Sequence, residues 1–147
     1  MSKILFSFAL IVTSVGALAT ENKADEAAIR SIVSASEAAA NKRDFAAFAA
    51  MFTADGDSIV FDGPRDVGRD AIRHPIEIAW KEQPASCRIA LKVESIRFLS
   101  KDIAIVEDSA SFTGCKDVVP DRATFVFARR DGKWQIAAMR VYQAEKK

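Results

Sequence analysis

The chain has 147 residues, half of them hydrophobic and 28% charged, with 21 basic side chains against 20 acidic ones for a net charge of +1. That length suits one domain with its own core, and it requires no second domain. The two signs of charge are interspersed, which gives no electrostatic footprint for nucleic acid or for an anionic membrane surface.

At the start, Lys3 precedes an apolar run over residues 4–15, and Ala17-Leu18-Ala19 supplies a small-x-small site. This is the pattern of a secretory signal peptide spanning residues 1–19. The run is shorter than the roughly 20 residues of a spanning helix. The expectation is therefore an exported chain, periplasmic or secreted, in which residues 20–147 form one domain with no membrane attachment after cleavage.

The periodicity then predicts a helix over residues 25–41, capped by Asp25, with Ile29, Ile32, Val33, Ser36 and Ala40 on one stripe. Asp44 caps a shorter helix whose stripe is Phe45, Phe48, Ala49 and Phe52. Residues 53–57 read as a loop, 58–61 as a short strand, and Asp62-Gly63-Pro64 as a turn. A third helix, capped by Asp70, runs toward Glu82, with Pro75 kinking it or moving its start to His74. From Cys87 the pattern changes to strands: 87–99, a tight connection at Ser100-Lys101-Asp102, then 103–115.

A last hairpin pairs residues 123–129 with 134–142 around Asp131-Gly132, a dipeptide whose members both tolerate positive φ. If Arg130 pairs with Lys133, Phe127 opposes Ile136 and Phe125 opposes Ala138 on one face, while Val126 opposes Ala137 on the other. Both faces then read as apolar. Helices should cover one, and a second copy of the chain or a further strand layer the other, which is the sequence argument for a homodimer. Helices first and strands after make the fold class α+β.

Two cysteines in an exported chain suggest a disulfide. With a three-residue connection joining Leu99 to Ile103, Cys87 falls opposite Cys115. A bulge or another turn would shift this by one residue, and two reduced, buried thiols are the alternative. The bridge would stabilise by about 3 kcal/mol.

The order of motifs carries a resemblance. The Ala- and Ile-rich first helix, the stretch DFAAFAAMFTADGD from Asp44 to Asp57, and Gly68-Arg69-Asp70-Ala71-Ile72 resemble the nuclear transport factor 2-like superfamily. Ile96-Arg97-Phe98-Leu99 with Asp102-Ile103-Ala104-Ile105-Val106, and Gly132-Lys133-Trp134-Gln135-Ile136, narrow this to its SnoaL-like and SgcJ/EcaC-like branch, over about residues 25–143. The resemblance implies three helices packed in the N-terminal half against a strongly curved, mostly antiparallel mixed sheet. These form a cone with an apolar pocket, commonly dimerising through the sheet. Ketosteroid isomerase, polyketide cyclases and dehydratases belong to the superfamily, as do many proteins without chemistry.

By that geometry Asp57 sits where the chain enters the first strand, and an apolar cone would raise its pKa toward useful general-base values; a loop carboxylate capping backbone donors is the other reading. His74 is the only side chain with an ordinary pKa near neutrality, against a structural or exposed role. Arg140 and Tyr142 alternate with Ile136 and Ala138, so either they face the pocket and hold an oxyanion or they are solvated near the strand end. Glu107 and Asp108 point to opposite faces, and whichever faces inward is a second acid candidate. Phe61, Trp80, Phe112, Phe125 and Trp134 supply apolar walls or plain core, with Tyr142 also placed at the pocket.

Departures count as well. Tyr142 is the only tyrosine, so the first-helix tyrosine of ketosteroid isomerases is missing. A single His and two bonded Cys make no metal set, and no Gly-rich phosphate loop occurs, so no metal or cofactor is expected. The expected function is an exported binder of a small apolar or amphipathic molecule with weak general acid/base chemistry by Asp57, aided by Arg140 or His74. The alternative is a non-catalytic dimeric interaction or assembly module.

Overall fold

The computed structural model describes residues 15–144. The expected leader lies outside them, apart from residues 15–19, which are helical. Three helices, α1 (Val15–Lys42), α2 (Phe45–Ala50) and α3 (Arg69–Lys81), pack on strands β1 (Phe52–Val60), β2 (Arg65–Val67), β3 (Arg88–Ser100), β4 (Ile103–Thr113), β5 (Asp121–Arg130) and β6 (Lys133–Gln143). The six strands form one sheet in the order β2-β1-β6-β5-β4-β3. Only the β1–β6 pair is parallel. The α+β class and the mostly antiparallel mixed sheet are as expected. No described helix is long and apolar enough to cross a membrane.

The stripe on α1 buries Ile29, Val33, Ser36 and Ala40 against the sheet. Together with Ile72 of α3 they close a core with Phe52, Val106, Phe125, Phe127, Ile136 and Met139. Asp44 caps α2 as its sequence requires, accepting a hydrogen bond from the Ala47 N–H at 2.9 Å.

Asp25 and Asp70 do not cap. Asp25 lies inside α1, where its carboxylate accepts the Trp134 indole N–H at 3.0 Å and pairs with Arg129, whose guanidinium stacks over the Trp134 ring. A tertiary partner thus claims a side chain that sequence assigns to a helix end. At α3 the cap is Gly68, with φ of 88°, and Asp70 sits in the first turn, while Pro75 stays inside the helix.

Four irregularities set which way side chains point. β1 begins at Phe52, not at residue 58. Between the pairs Phe52↔Ile136 and Asp57↔Ala138 its chain makes a short excursion, with Ala54 and Asp55 exposed. β3 has two extra residues, Glu94 between Val93↔Asp108 and Ser95↔Glu107, and Leu99 between Phe98↔Ala104 and Ser100↔Ile103. Ala137 is an extra residue in β6, between Phe127↔Ile136 and Val126↔Ala138. Each bulge bends the sheet and exchanges faces for everything beyond it. The Arg130↔Lys133 and Phe127↔Ile136 pairs hold, but past the bulge Phe125 opposes Met139 and Val126 opposes Ala138.

The β3–β4 turn is Lys101-Asp102, closed by Ser100↔Ile103, not a three-residue connection. The extra residue Leu99 restores the expected register for Phe98 to Ser95, and the Glu94 bulge then leaves Arg88 opposite Thr113, one residue off it. Cys87 and Cys115 are bonded nonetheless, with a Cα separation of 4.3 Å. The chain leaves β4 through Gly114, with φ of 66°, which turns Cys115 back to its partner. A Cβ on Gly114 would lie 2.7 Å from the Ser86 carbonyl oxygen, so only glycine fits there.

The face of the sheet turned from the helices is not apolar throughout. Ile59, Ile105, Val126 and Ala138 are half-buried on it, but they share it with Asp57, Glu107, Thr124, Arg140 and Tyr142.

Candidate functional site

On the helix-covered side the sheet leaves a cavity of about 280 Å³. Phe48 of α2, Ile76, Ala79 and Trp80 of α3, and Ile89, Phe112, Met139 and Val141 of the sheet give it apolar walls, with Val118 at one side. A second, wider groove of about 660 Å³ adjoins it across Val60, Phe61, Ile76, Ala79 and Trp80, and is lined by His74 and Ser58. Phe61 stands between the two with φ of 54°, a strained value for a bulky residue. Its N–H donates to the Val141 carbonyl at 2.7 Å.

The one ionisable side chain on the cavity wall is Asp121. Across the sheet the concave face runs Val60, Val141, Ala123, Asp108, Val93, each opposite the next. Asp108 therefore points to the same side as Asp121, one step along. Its residue is 2% exposed, and neither carboxyl oxygen has a hydrogen-bond partner.

Burial pushes the Asp108 carboxyl from its ordinary 3.8 up to about 7, and the negative charge of Asp121 adds to the rise, as do Glu107 and Glu94. The Ala123 backbone N–H opposes it without meeting hydrogen-bond geometry. Burial alone raises Asp121, to about 6. An apolar chamber with one such carboxyl on its wall, Asp121, and a second, Asp108, buried one step away on the same face of the sheet can hold or transfer a proton at ambient pH. Among the described residues no group of three or more His, Cys, Asp and Glu is placed to hold a metal ion.

The expected residues distribute differently. Asp57 is buried, at 6% exposure, but on the other face of the sheet. Arg140 donates to its Oδ1 at 2.5 Å and Arg65 Nε to its Oδ2 at 2.6 Å. The Arg140 hydrogen bond holds the carboxyl below its ordinary value against the opposing effect of burial, and Arg65 lowers it further. The expected rise in pKa is thus reversed, because two guanidiniums occupy both oxygens. Arg140 and Tyr142 are also outside the cone; the Tyr142 hydroxyl donates to Glu107 at 3.3 Å.

His74 is exposed on the wider groove, not in the cavity. Trp80 and Phe112 line the cavity, and Phe61 its margin. Phe125 belongs to the packed core, and Trp134 packs on Phe98 at the far end. Of Glu107 and Asp108, the inward member is Asp108. Asp121 was missed: it precedes its strand's apolar alternation, and nothing local marks it as inward.

Asp57→Asn should weaken the outer-face clamp, costing about 1–2 kcal/mol because both guanidiniums are partly exposed. Urea unfolding measures the loss; unchanged stability with lost ligand binding would instead return Asp57 to the site.

The SnoaL-like domain family matches residues 29–141, most of the chain. The chain belongs to the SnoaL-like family. No curated protein matches this SnoaL-like chain in sequence. Its fold is similar to that of a domain of unknown function with a cystatin-like fold from Nostoc punctiforme, at TM-score 0.75 and 24% identity, covering 84% of this chain and 79% of that one. An NTF2-like protein from Novosphingobium aromaticivorans gives TM-score 0.77 at 17% identity, over 92% of this chain and 94% of that one. A type 2 hexachlorocyclohexane dehydrochlorinase gives 0.76 at 15% identity, over 86% and 90%. At these identities the likeness establishes the fold, and it agrees with the NTF2-like resemblance read from the sequence.

Proposed function

We propose that this SnoaL-like domain binds a small apolar or amphipathic molecule in the cone and that Asp108, working beside Asp121, exchanges a proton with it. The observation that carries the reading is a fully buried carboxyl without a hydrogen-bond partner, on the same face of the sheet as Asp121 of the cavity wall and one step from it. A purely structural Asp would be expected to have found a donor. The same fold in a dehydrochlorinase supports small-molecule chemistry in such a cone. General-base work passes from Asp57 to Asp108, since Asp57 is clamped and faces away.

Export to an oxidising compartment belongs to this reading, supported by the Cys87–Cys115 bridge. Pairing of two copies is supported by the half-buried Ile59, Ile105, Val126 and Ala138 on the outer face.

Ala79 lines both hollows, so Ala79→Trp should fill the chamber and keep the fold. Titration with Nile red, a neutral apolar dye, should show saturable binding to the wild type and a loss of about tenfold or more in the variant. Absent binding to the wild type, or equal binding to both, would remove the cone as the site.

A further inference from the structure

The chamber has an electrostatic asymmetry that its apolar walls do not require. Among the described residues its lining contains no Lys, Arg or His, and its polar side chains are Asp121 and Gln83. Gln83 is committed elsewhere, accepting from the Lys116 N–H at 2.8 Å and donating to the Lys116 carbonyl at 3.1 Å. The charges that act on Asp108, from Asp121 on β5, Glu94 on β3 and its own neighbour Glu107, are all negative.

From α1, two charged groups reach this part of the sheet: Glu37, which accepts the Leu91 N–H at 2.7 Å, and Arg30, which is paired with Glu26 at 2.8 Å. The nearest strand cations are turned outward: Lys92 pairs with Glu94 at 3.0 Å, and Arg122 lies opposite Tyr142 on the outer face. Asp108 is thus a buried acid with Asp121 beside it on the same face and both oxygens without a hydrogen-bond partner. Phe48, Trp80 and Phe112 make the walls aromatic, the kind of surface that favours cations, and the Trp80 ring already holds the Arg43 guanidinium 5.7 Å from its centroid.

We infer that the cone's ligand is an apolar amine, whose ammonium group is held by Asp121 with Asp108 behind it, while its hydrocarbon part lies against Phe48, Ile76, Trp80 and Phe112. This names the ligand class for the binding site proposed above and rests on that proposal. The ammonium supplies both the positive charge and the N–H donors that the carboxyl pair lacks, and a charge-assisted hydrogen bond in a desolvated site is among the stronger polar contacts. An acid of the same skeleton would add a further negative charge to an acidic chamber. A neutral alcohol would gain only the apolar contacts and one ordinary hydrogen bond.

The test is calorimetric titration of the full folded chain with three probes of one skeleton: phenylpropylamine, phenylpropanol and phenylpropanoate. At about pH 8, above the range in which both carboxyls titrate, the amine should bind about tenfold more tightly than the alcohol, and the acid most weakly. At about pH 5 both carboxyls gain a proton while the amine keeps its charge, so the preference should shrink to about twofold. Asp121→Asn should abolish the preference, so that amine and alcohol bind within about twofold of each other. If that variant does not fold, the pH comparison on the wild type decides alone.

Equal binding of amine and alcohol, tighter binding of the acid, or a preference that ignores pH would each overturn the amine inference while leaving the cone as a binding site. Failure of all three probes to bind would overturn the binding site and the inference together.

Discussion

The wild-type protein should become more stable as pH is lowered from about 8 to about 5, and Asp108→Asn should remove most of that gain. The Asp108 carboxyl titrates near 7 in the fold, against 3.8 for an ordinary aspartate. The folded state therefore binds the proton more tightly than the unfolded chain. The stabilisation is complete below the unfolded value and is lost as pH rises through about 7. Asp121, raised to about 6, adds a smaller effect of the same sign.

Asp57 acts oppositely: its depressed pKa gives stability that is present above the ordinary carboxylate range and lost in acid. The optimum should lie between the two, on the acid side of neutrality. A shift of this size sets an upper bound of about 4 kcal/mol on the Asp108 contribution. Urea unfolding at the two pH values measures it. A flat or reversed profile in the wild type, or an unchanged slope in Asp108→Asn, would mean that the carboxyl is solvated or partnered in solution.

Replacing both cysteines by serine should cost about 3 kcal/mol, because the bridge closes a loop with a sequence separation of 28 residues and so restricts the unfolded chain. The effect should reach the cavity. Cys87 is 2% exposed and lines it, and Cys115 anchors the segment 114–120 that brings Val118 to its side and leads into Asp121. The paired hydrogen bonds of Gln83 and Lys116, with Ser86 donating to the Gly114 carbonyl at 3.1 Å, remain to hold that segment. The double variant should therefore fold, unfold at lower denaturant and bind Nile red more weakly. A stability loss below about 1 kcal/mol would show that these hydrogen bonds, not the bridge, hold the segment.

What sequence determined is what near neighbours decide. The α1 stripe follows from helical spacing, the Asp44 cap from a side chain beside its own helix start, and the Arg130↔Lys133 register from Asp131-Gly132. The cysteine pairing survived a wrong register because both residues lie just beyond the ends of paired strands, where Gly114 can re-aim the chain. The motif order pointed to the SnoaL-like family for the same reason: it is a succession of local patterns.

Which face each strand residue takes was decided by tertiary structure. A period of two makes facing a matter of parity, so one extra residue reverses it for all that follows. Ala137 separates Arg140 from the inward Ile136, and the excursion at the start of β1 brings Asp57 beside Ala138 and Arg140 on the outer face. Of the three residues expected to be catalytic, Asp57 and Arg140 do meet, as an ion pair on the outer side of the sheet, while His74 lies apart on the wider groove. Asp108 and Asp121, on strands paired to one another, come together inside only because burial of Val106, Phe125 and Met139 against the helices fixes that face as the core. The cost of exposing those apolar side chains outweighs the penalty of burying one carboxyl, and that balance belongs to the assembled sheet, not to any stretch of sequence.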